Sequence, residues 1–298
     1  MLKKLLIFIC ILSFCSFSHG KSIEPLKAQI NTILETKDAT VGVAILAGDS
    51  SESLSINGDK HLPMQSVFKY HLALAVLDQV DKGDLSLSQE IKITAKDVDN
   101  ELWSPIRKKY PNGTSLTLTE VMKSLLAYSD NVSCDVLIRI LGGPKALEKH
   151  LHSRGITDIA VKYNELDMQA VWGRQYKNWT TANASNMALK KFYENKNKEL
   201  SPESHKFLWD TLKGSKTGKD MIKGNLPEGT VVAHKTGSSG KNKAGLSAAR
   251  NNIGIVFLPD GRYFYLSVFV SDSTESRTEN KKIIADIAKL TWDYFDSE

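Results

Sequence analysis

Ser66-Val67-Phe68-Lys69 opens an apolar run that passes through Leu72, Leu77 and Val80 and stops at Gly83. Pro63 precedes the string and the apolar spacing is helical, so a helix is predicted to begin at the serine. Residues three apart share a helix face, which sets Lys69 one turn from Ser66 and beside its hydroxyl. A serine attacks only when a neighbouring group can take its proton, and a lysine of lowered pKa can serve. The helix N-terminus adds partial positive charge and free N–H groups where an oxyanion would form. Alone, the string reads better as a capping serine and a surface lysine.

Two further strings shift that balance. Ser129-Asp130-Asn131 follows the helical run Leu118 to Ala127. Ser129 could relay a proton to a leaving nitrogen and Asn131 could hydrogen-bond a substrate amide, whereas Asp130 suits a cap or turn. Lys235-Thr236-Gly237 ends the strand-like Val231-Val232-Ala233-His234. Lys235 and Thr236 would face an anionic group. Gly237 would let a ligand lie against the backbone, and the N–H of Ser238 could pair with that of Ser66 as an oxyanion hole. Each string alone is common; all three in this order, each on a plausible element, point to an acyl-transfer site.

Outward from these strings, the two ends of the chain alternate like sheet and the middle has helical periodicity. A helix is predicted over residues 23–36, then strands at Val41–Leu46 and Glu52–Ile56 joined by a turn at Gly48-Asp49-Ser50. Val231–Thr236, Asn252–Leu258 and Arg262–Val270 are strand-like, the last two joined by the turn Pro259-Asp260-Gly261. An amphipathic helix over 278–295 closes the chain. Early and late strands with helices between them favour an α+β fold: an antiparallel sheet flanked by terminal helices, with an inserted all-helical lobe. The expected partition is residues 1–20 as a leader and 21–298 as one domain. Within that domain a sheet lobe takes about 21–60 and 213–298, and a helical lobe about 61–212. The cleft between lobes is the natural ligand site.

The 298 residues are 41% hydrophobic and 24% charged, an ordinary globular balance. Lys3 and Lys4 supply two of the net five positive charges, and the remaining +3 is too small a surplus to suggest nucleic acid. Residues 1–20 read as a cleavable export signal, with Lys3-Lys4, an apolar stretch Leu5 to Phe17, and Ser18-His19-Gly20 at the cleavage point. The apolar run is too short for a membrane span. Cys15 leaves a lipid anchor as the lesser alternative, disfavoured by bulky Phe14 before it. Beyond the leader only Cys134 remains, so no internal disulfide is possible, and its apolar helical setting suggests a buried small hydrophobe. His150-Leu151-His152 is the single close histidine pair; on a helix the two diverge, so no metal or other cofactor is expected.

The whole chain beyond the leader resembles a class A serine β-lactamase in length, order of elements and motif spacing; the three strings are a known mark of these enzymes and of penicillin-binding proteins. The resemblance implies a small-molecule β-lactam substrate, and penicillins and cephalosporins hydrolysed through an acyl-enzyme on Ser66. It makes Glu165, in Asn164-Glu165-Leu166-Asp167-Met168-Gln169, the base for the deacylating water. Gln169 takes the place of an asparagine that usually shares that water. Trp103 resembles an aromatic gatekeeper, and Arg250 an arginine that supports the substrate carboxylate. Leu166 replaces the family's usual proline; a cis bond before a non-proline residue costs about 3 kcal/mol, which leaves the geometry of that bond open. Asp135 and Asn178 appear where the family usually has asparagine and aspartate, an exchange that, with Gln169, resembles the extended-spectrum PER- and VEB-like branch. The implied protein is an exported, periplasmic monomer, free of the membrane after cleavage. A D,D-peptidase or penicillin-binding protein is the main rival, weakened by Glu165. An antibiotic sensor domain and a glutaminase of the same fold stand further back.

Overall fold

The computed structural model describes residues 22–48 and 52–297. The expected leader, with Cys15 and the expected cleavage point, and the turn residues Asp49 and Ser50 lie outside the described residues.

The first segment runs α1 (Glu24–Leu34), β1 (Thr40–Ala47), β2 (Ser53–Ile56) and β3 (Leu62–Pro63). Then come α2 (Phe68–Asp81), β4 (Glu90–Ile93), α3 (Ala95–Val98), α4 (Pro105–Lys109), β5 (Thr114–Thr117), α5 (Leu118–Ala127), α6 (Asn131–Ile140) and α7 (Pro144–Ser153). The loop region holds β6 (Ile159–Ala160), α8 (Glu165–Ala170) and β7 (Trp179–Thr180), followed by α9 (Ala182–Glu194) and α10 (Pro202–Lys213). The chain ends with β8 (Val232–Ser238), β9 (Arg250–Phe257), β10 (Tyr263–Ser271) and α11 (Arg277–Asp296).

The five-stranded sheet has the order β2-β1-β10-β9-β8, antiparallel throughout. Apolar side chains fill both of its faces. Leu26 and Ile30 of α1, with Ile284, Ile287 and Trp292 of α11, cover Val43, Val256 and Val268 on one side. Ile253, Ile255, Tyr265 and Phe269 on the other side pack into the helical core around α2. Helix α2 is buried from Phe68 to Asp78, which is why its sequence lacks a polar stripe. Leu72, Leu74 and Leu77 are each at most 1% exposed, and each contributes roughly 1.5–3 kcal/mol by leaving water.

The α+β fold expected from the sequence is the one observed. The inserted lobe is not all helical, however. Strands β4 and β5 pair there as Glu90↔Thr117 to Ile93↔Thr114, and β3, β7 and β6 form a second small sheet. The latter strands are two residues long, too short to show any period.

Candidate active site

The turn that carries Ser66 is set by packing. Residues Gln65–Val67 form a 3-10 turn that runs straight into α2, so Ser66 sits at the entrance of a buried helix. Gln65 adopts φ +46°, a conformation that costs a non-glycine residue about 1–3 kcal/mol and persists only where its surroundings enforce it. Asn251 of β9 is part of that enforcement: its Nδ2 donates to Pro63 O at 2.8 Å and Met64 O at 3.1 Å. The sheet thus pins the chain just before the serine.

Gly237 serves the same purpose. A Cβ there would stand 2.3 Å from Met64 O and 3.2 Å from Val67 N. The space expected for a ligand beside Gly237 is, on this side, filled by the Ser66 turn. Its missing side chain lets β8 close on Ser66.

Lys69 lies one turn below the serine and is fully buried. Its Nζ donates to Ser66 Oγ at 2.9 Å, to Ser129 O at 2.9 Å, and to Asn131 Oδ1. Glu165 Oε1 stands 2.9 Å from the same nitrogen and 3.2 Å from Ser66 Oγ. Burying this ion pair is tolerable because each charge is met by an opposite charge and by hydrogen bonds. Ser66 is therefore flanked by both residues able to move its proton.

Ser129 occupies the left-handed region, φ +58°. That backbone turns its carbonyl to Lys69 while Lys235 Nζ donates to its Oγ at 2.9 Å. Asp130 holds the turn from beneath. Its buried carboxylate accepts from Ser104 Oγ at 2.8 Å, Ile106 N at 2.9 Å, Ser124 Oγ at 3.2 Å and Ser133 N at 2.9 Å. The capping role open to it in the sequence is what it performs, as N-cap of α6.

Lys235 also donates to Thr236 O at 2.9 Å. Burial pushes its pKa well below the usual lysine value, with Lys69 adding repulsion and Glu165 opposing it. Thr236 Oγ1 shares a hydrogen bond of 2.9 Å with Thr217 Oγ1. Arg250, opposite Ser238 in the β8–β9 register, sends Nη2 to Ser239 O at 3.4 Å and leaves Nε without a partner.

The loop bearing Glu165 is fastened at two points. Asp135 accepts from Glu165 N at 2.7 Å and Leu166 N at 3.0 Å. Asn178 accepts from Lys162 N at 2.8 Å and Tyr163 N at 3.0 Å and donates to Tyr163 O at 2.8 Å. Each of the two exchanged residues thus holds loop backbone. Burial, then the nearby Glu165 charge, raises the Asp135 pKa to about 7. No described peptide bond is cis, so the bond before Leu166 is trans. Gln169 Nε2 donates to Glu165 Oε2 at 3.4 Å and to Gln65 Oε1 at 3.2 Å, linking the loop to the Ser66 turn.

Ser66, Ser129, Asn131, Glu165, Gln169, Thr236, Ser238 and Arg250 open into one cleft of about 550 Å³, with Trp103 at its mouth. The Trp103 indole is 54% exposed and donates to Tyr128 O at 3.2 Å. Lys69, Lys235 and Gly237 lie beneath this surface. Asn251, Gln65 and Thr217 went unforeseen, since single polar residues outside a motif carry no spacing signal. Cys134 is buried and its thiol pKa is pushed up by burial. His150 lies 3.8 Å from Asp78, and His152 Nε2 is 3.0 Å from Ile159 O, so the two rings face different partners.

A sequence profile of the beta-lactamase enzyme family matches residues 25–295. The chain belongs to this family. Two relatives from Pseudomonas aeruginosa are each 43% identical: "Beta-lactamase VEB-1", over 98% of both chains, and "Extended-spectrum beta-lactamase PER-1", over 96% of this chain and 92% of its own. The crystal structure of TLA-1 extended-spectrum β-lactamase superposes with a TM-score of 0.90 at 43% identity, covering 93% of this chain and all of that one. This β-lactamase is accordingly a class A serine enzyme of the VEB- and PER-like branch, as the resemblance implied. Its substrates are β-lactams. Among the described residues no helix is long and apolar enough to cross a membrane.

Proposed function

We propose that this β-lactamase is exported to the periplasm and opens penicillins and cephalosporins, bulky oxyimino-cephalosporins included, through an acyl-enzyme on Ser66. The observation that carries the proposal is Ser66 Oγ lying within 3.2 Å of Glu165 Oε1 and 2.9 Å of Lys69 Nζ at the floor of an open cleft.

The substrate carboxylate meets Lys235, Thr236 and Arg250, which sets the lactam carbonyl over Ser66. Ser66 Oγ bonds to the carbonyl carbon as its proton passes to Glu165 or Lys69. The N–H groups of Ser66 and Ser238 receive the oxyanion. The carbon–nitrogen bond then breaks as Ser129 Oγ gives its proton to the ring nitrogen and regains the one taken from Ser66 by way of Lys69, so that Glu165 is again a carboxylate and Lys235 keeps its charge. Water, held by Glu165 and Gln169, loses a proton to Glu165 and attacks the ester; the ester bond breaks, and Glu165 passes that proton to Ser66 Oγ, which frees the enzyme. Proton transfer contributes about 10²–10⁴-fold in such sites, and a single oxyanion donor about 10²–10³-fold.

A D,D-peptidase needs no carboxylate to release its acyl group, and the Glu165 carboxylate against Ser66 argues for hydrolysis instead. Steady-state hydrolysis of benzylpenicillin and cefotaxime tests the reading. Multiple turnovers that disappear in Ser66→Gly support it; a stoichiometric burst without turnover supports the peptidase.

A further inference from the structure

The carboxylate-binding end of the cleft holds more positive charge than one substrate carboxylate can neutralise. Of the charged groups around it, Lys69 is matched by Glu165, and Lys281 by Asp220 at 2.5 Å. Lys235, Arg250 and Arg277 make no salt bridge to a carboxylate among the described residues, and Asp220, already paired with Lys281, is the one carboxylate near enough for its charge to act on the two arginines. Burial first, and then the Arg277 charge, hold the Arg250 guanidinium below its usual value, with Asp220 opposing them.

The position of Arg277 is itself unfavourable. It is the first residue of α11, a 20-residue helix whose N-terminal dipole disfavours a cation. Lys281 follows one turn later on the same helix face, and both side chains line the cleft with Arg250. Arg277 is exposed there, so it is free to meet a ligand.

We propose that Arg277 forms a second anion subsite that favours dianionic β-lactams, those bearing a second negative charge on the ring substituent next to the carboxylate. This inference rests on the β-lactam hydrolysis proposed above. The substrate carboxylate takes Lys235 and Arg250, and the second anion takes Arg277, which lowers the unmatched charge of the cleft end from three to one.

Ceftriaxone and cefotaxime test it directly. They share one oxyimino side chain and nucleus, but ceftriaxone carries an acidic triazinedione at the ring substituent where cefotaxime carries a neutral acetoxymethyl group. The readout is the ratio of their kcat/KM values in the intact protein. A solvent-exposed ion contact is modest and salt-screened, so Arg277→Gln is expected to lower the ceftriaxone-to-cefotaxime ratio about threefold and Arg277→Glu about tenfold. The loss should fall on the ceftriaxone KM, and added salt should shrink the ratio in the unaltered enzyme. A ratio that both variants leave in place overturns the subsite while β-lactam hydrolysis stands. No hydrolysis of cefotaxime by the unaltered enzyme overturns the parent reading, and this one with it.

Discussion

Replacing Asp135 with asparagine tests how the loop that carries Glu165 is held. The carboxylate caps two N–H groups, those of Glu165 and Leu166, yet burial raises its pKa from 3.8 to about 7. That balance already includes the pull of both donors on the charged form. Between about pH 4 and pH 7 the folded protein keeps a proton that the unfolded chain has lost, so stability falls as pH rises through this window. A rise of that size corresponds to about 4 kcal/mol. The side chain is partly exposed, and solvent screening reduces the figure to about 2–3 kcal/mol. Asparagine cannot ionise and keeps one acceptor. At pH 5 the neutral aspartic acid also offers one carbonyl oxygen, so the two proteins should be similarly stable. At pH 8 the gap should move in favour of Asp135→Asn by about 2–3 kcal/mol. Denaturant unfolding of both proteins at the two pH values measures this. A gap that stays fixed, or moves the other way, refutes the reasoning: the charged carboxylate would then be at ease between its two donors.

Other expectations follow from single contacts. Gly237→Ala must push β8 away from Met64 O, which stands 2.3 Å from the new methyl. Overpacking of this kind costs about 1–3 kcal/mol, so thermal melting should shift down by several degrees and penicillin hydrolysis should fall with it. Thr217→Val removes the hydroxyl bonded to Thr236 Oγ1. Losing one such bond should raise KM for benzylpenicillin about fivefold, with a smaller change in kcat. The mature protein recovered from the periplasm should begin at Lys21 by N-terminal sequencing; a lipid on Cys15 would overturn that assignment.

Much of the sheet lobe was legible because its strands are long and their turn is chemically explicit. Pro259-Asp260-Gly261 separates two runs that become β9 and β10, and Leu118 to Ala127 forms α5 with the same bounds. The short pairings were not legible. Leu62–Pro63 and Trp179–Thr180 are held by neighbours distant in sequence, and two residues cannot display an alternation. Glu90–Ile93 does alternate between exposed and buried, but it lies among helical runs that masked it. In the site, the motifs were legible because proton transfer restricts which residue types can serve, and the structure brings Ser66, Ser129, Asn131 and Thr236 to one cleft. The supports were hidden. Asn251 looks like any strand residue until its amide is seen holding Pro63 and Met64. The sequence presents Gly237 as room for a ligand; the structure adds that a Cβ there would strike the turn before Ser66. Arg277 carried no motif at all; its interest comes from the charges around it.

At the centre of the proposed chemistry, one hydroxyl is acylated and one carboxylate clears it. Intact-protein mass spectrometry of Glu165→Gln mixed with benzylpenicillin tests both halves at once. The expected result is a persistent gain of one antibiotic mass, located on the peptide containing Ser66, while the unaltered enzyme returns to its free mass within the mixing time. A variant that turns over at the unaltered rate, or an adduct found on any other residue, contradicts it.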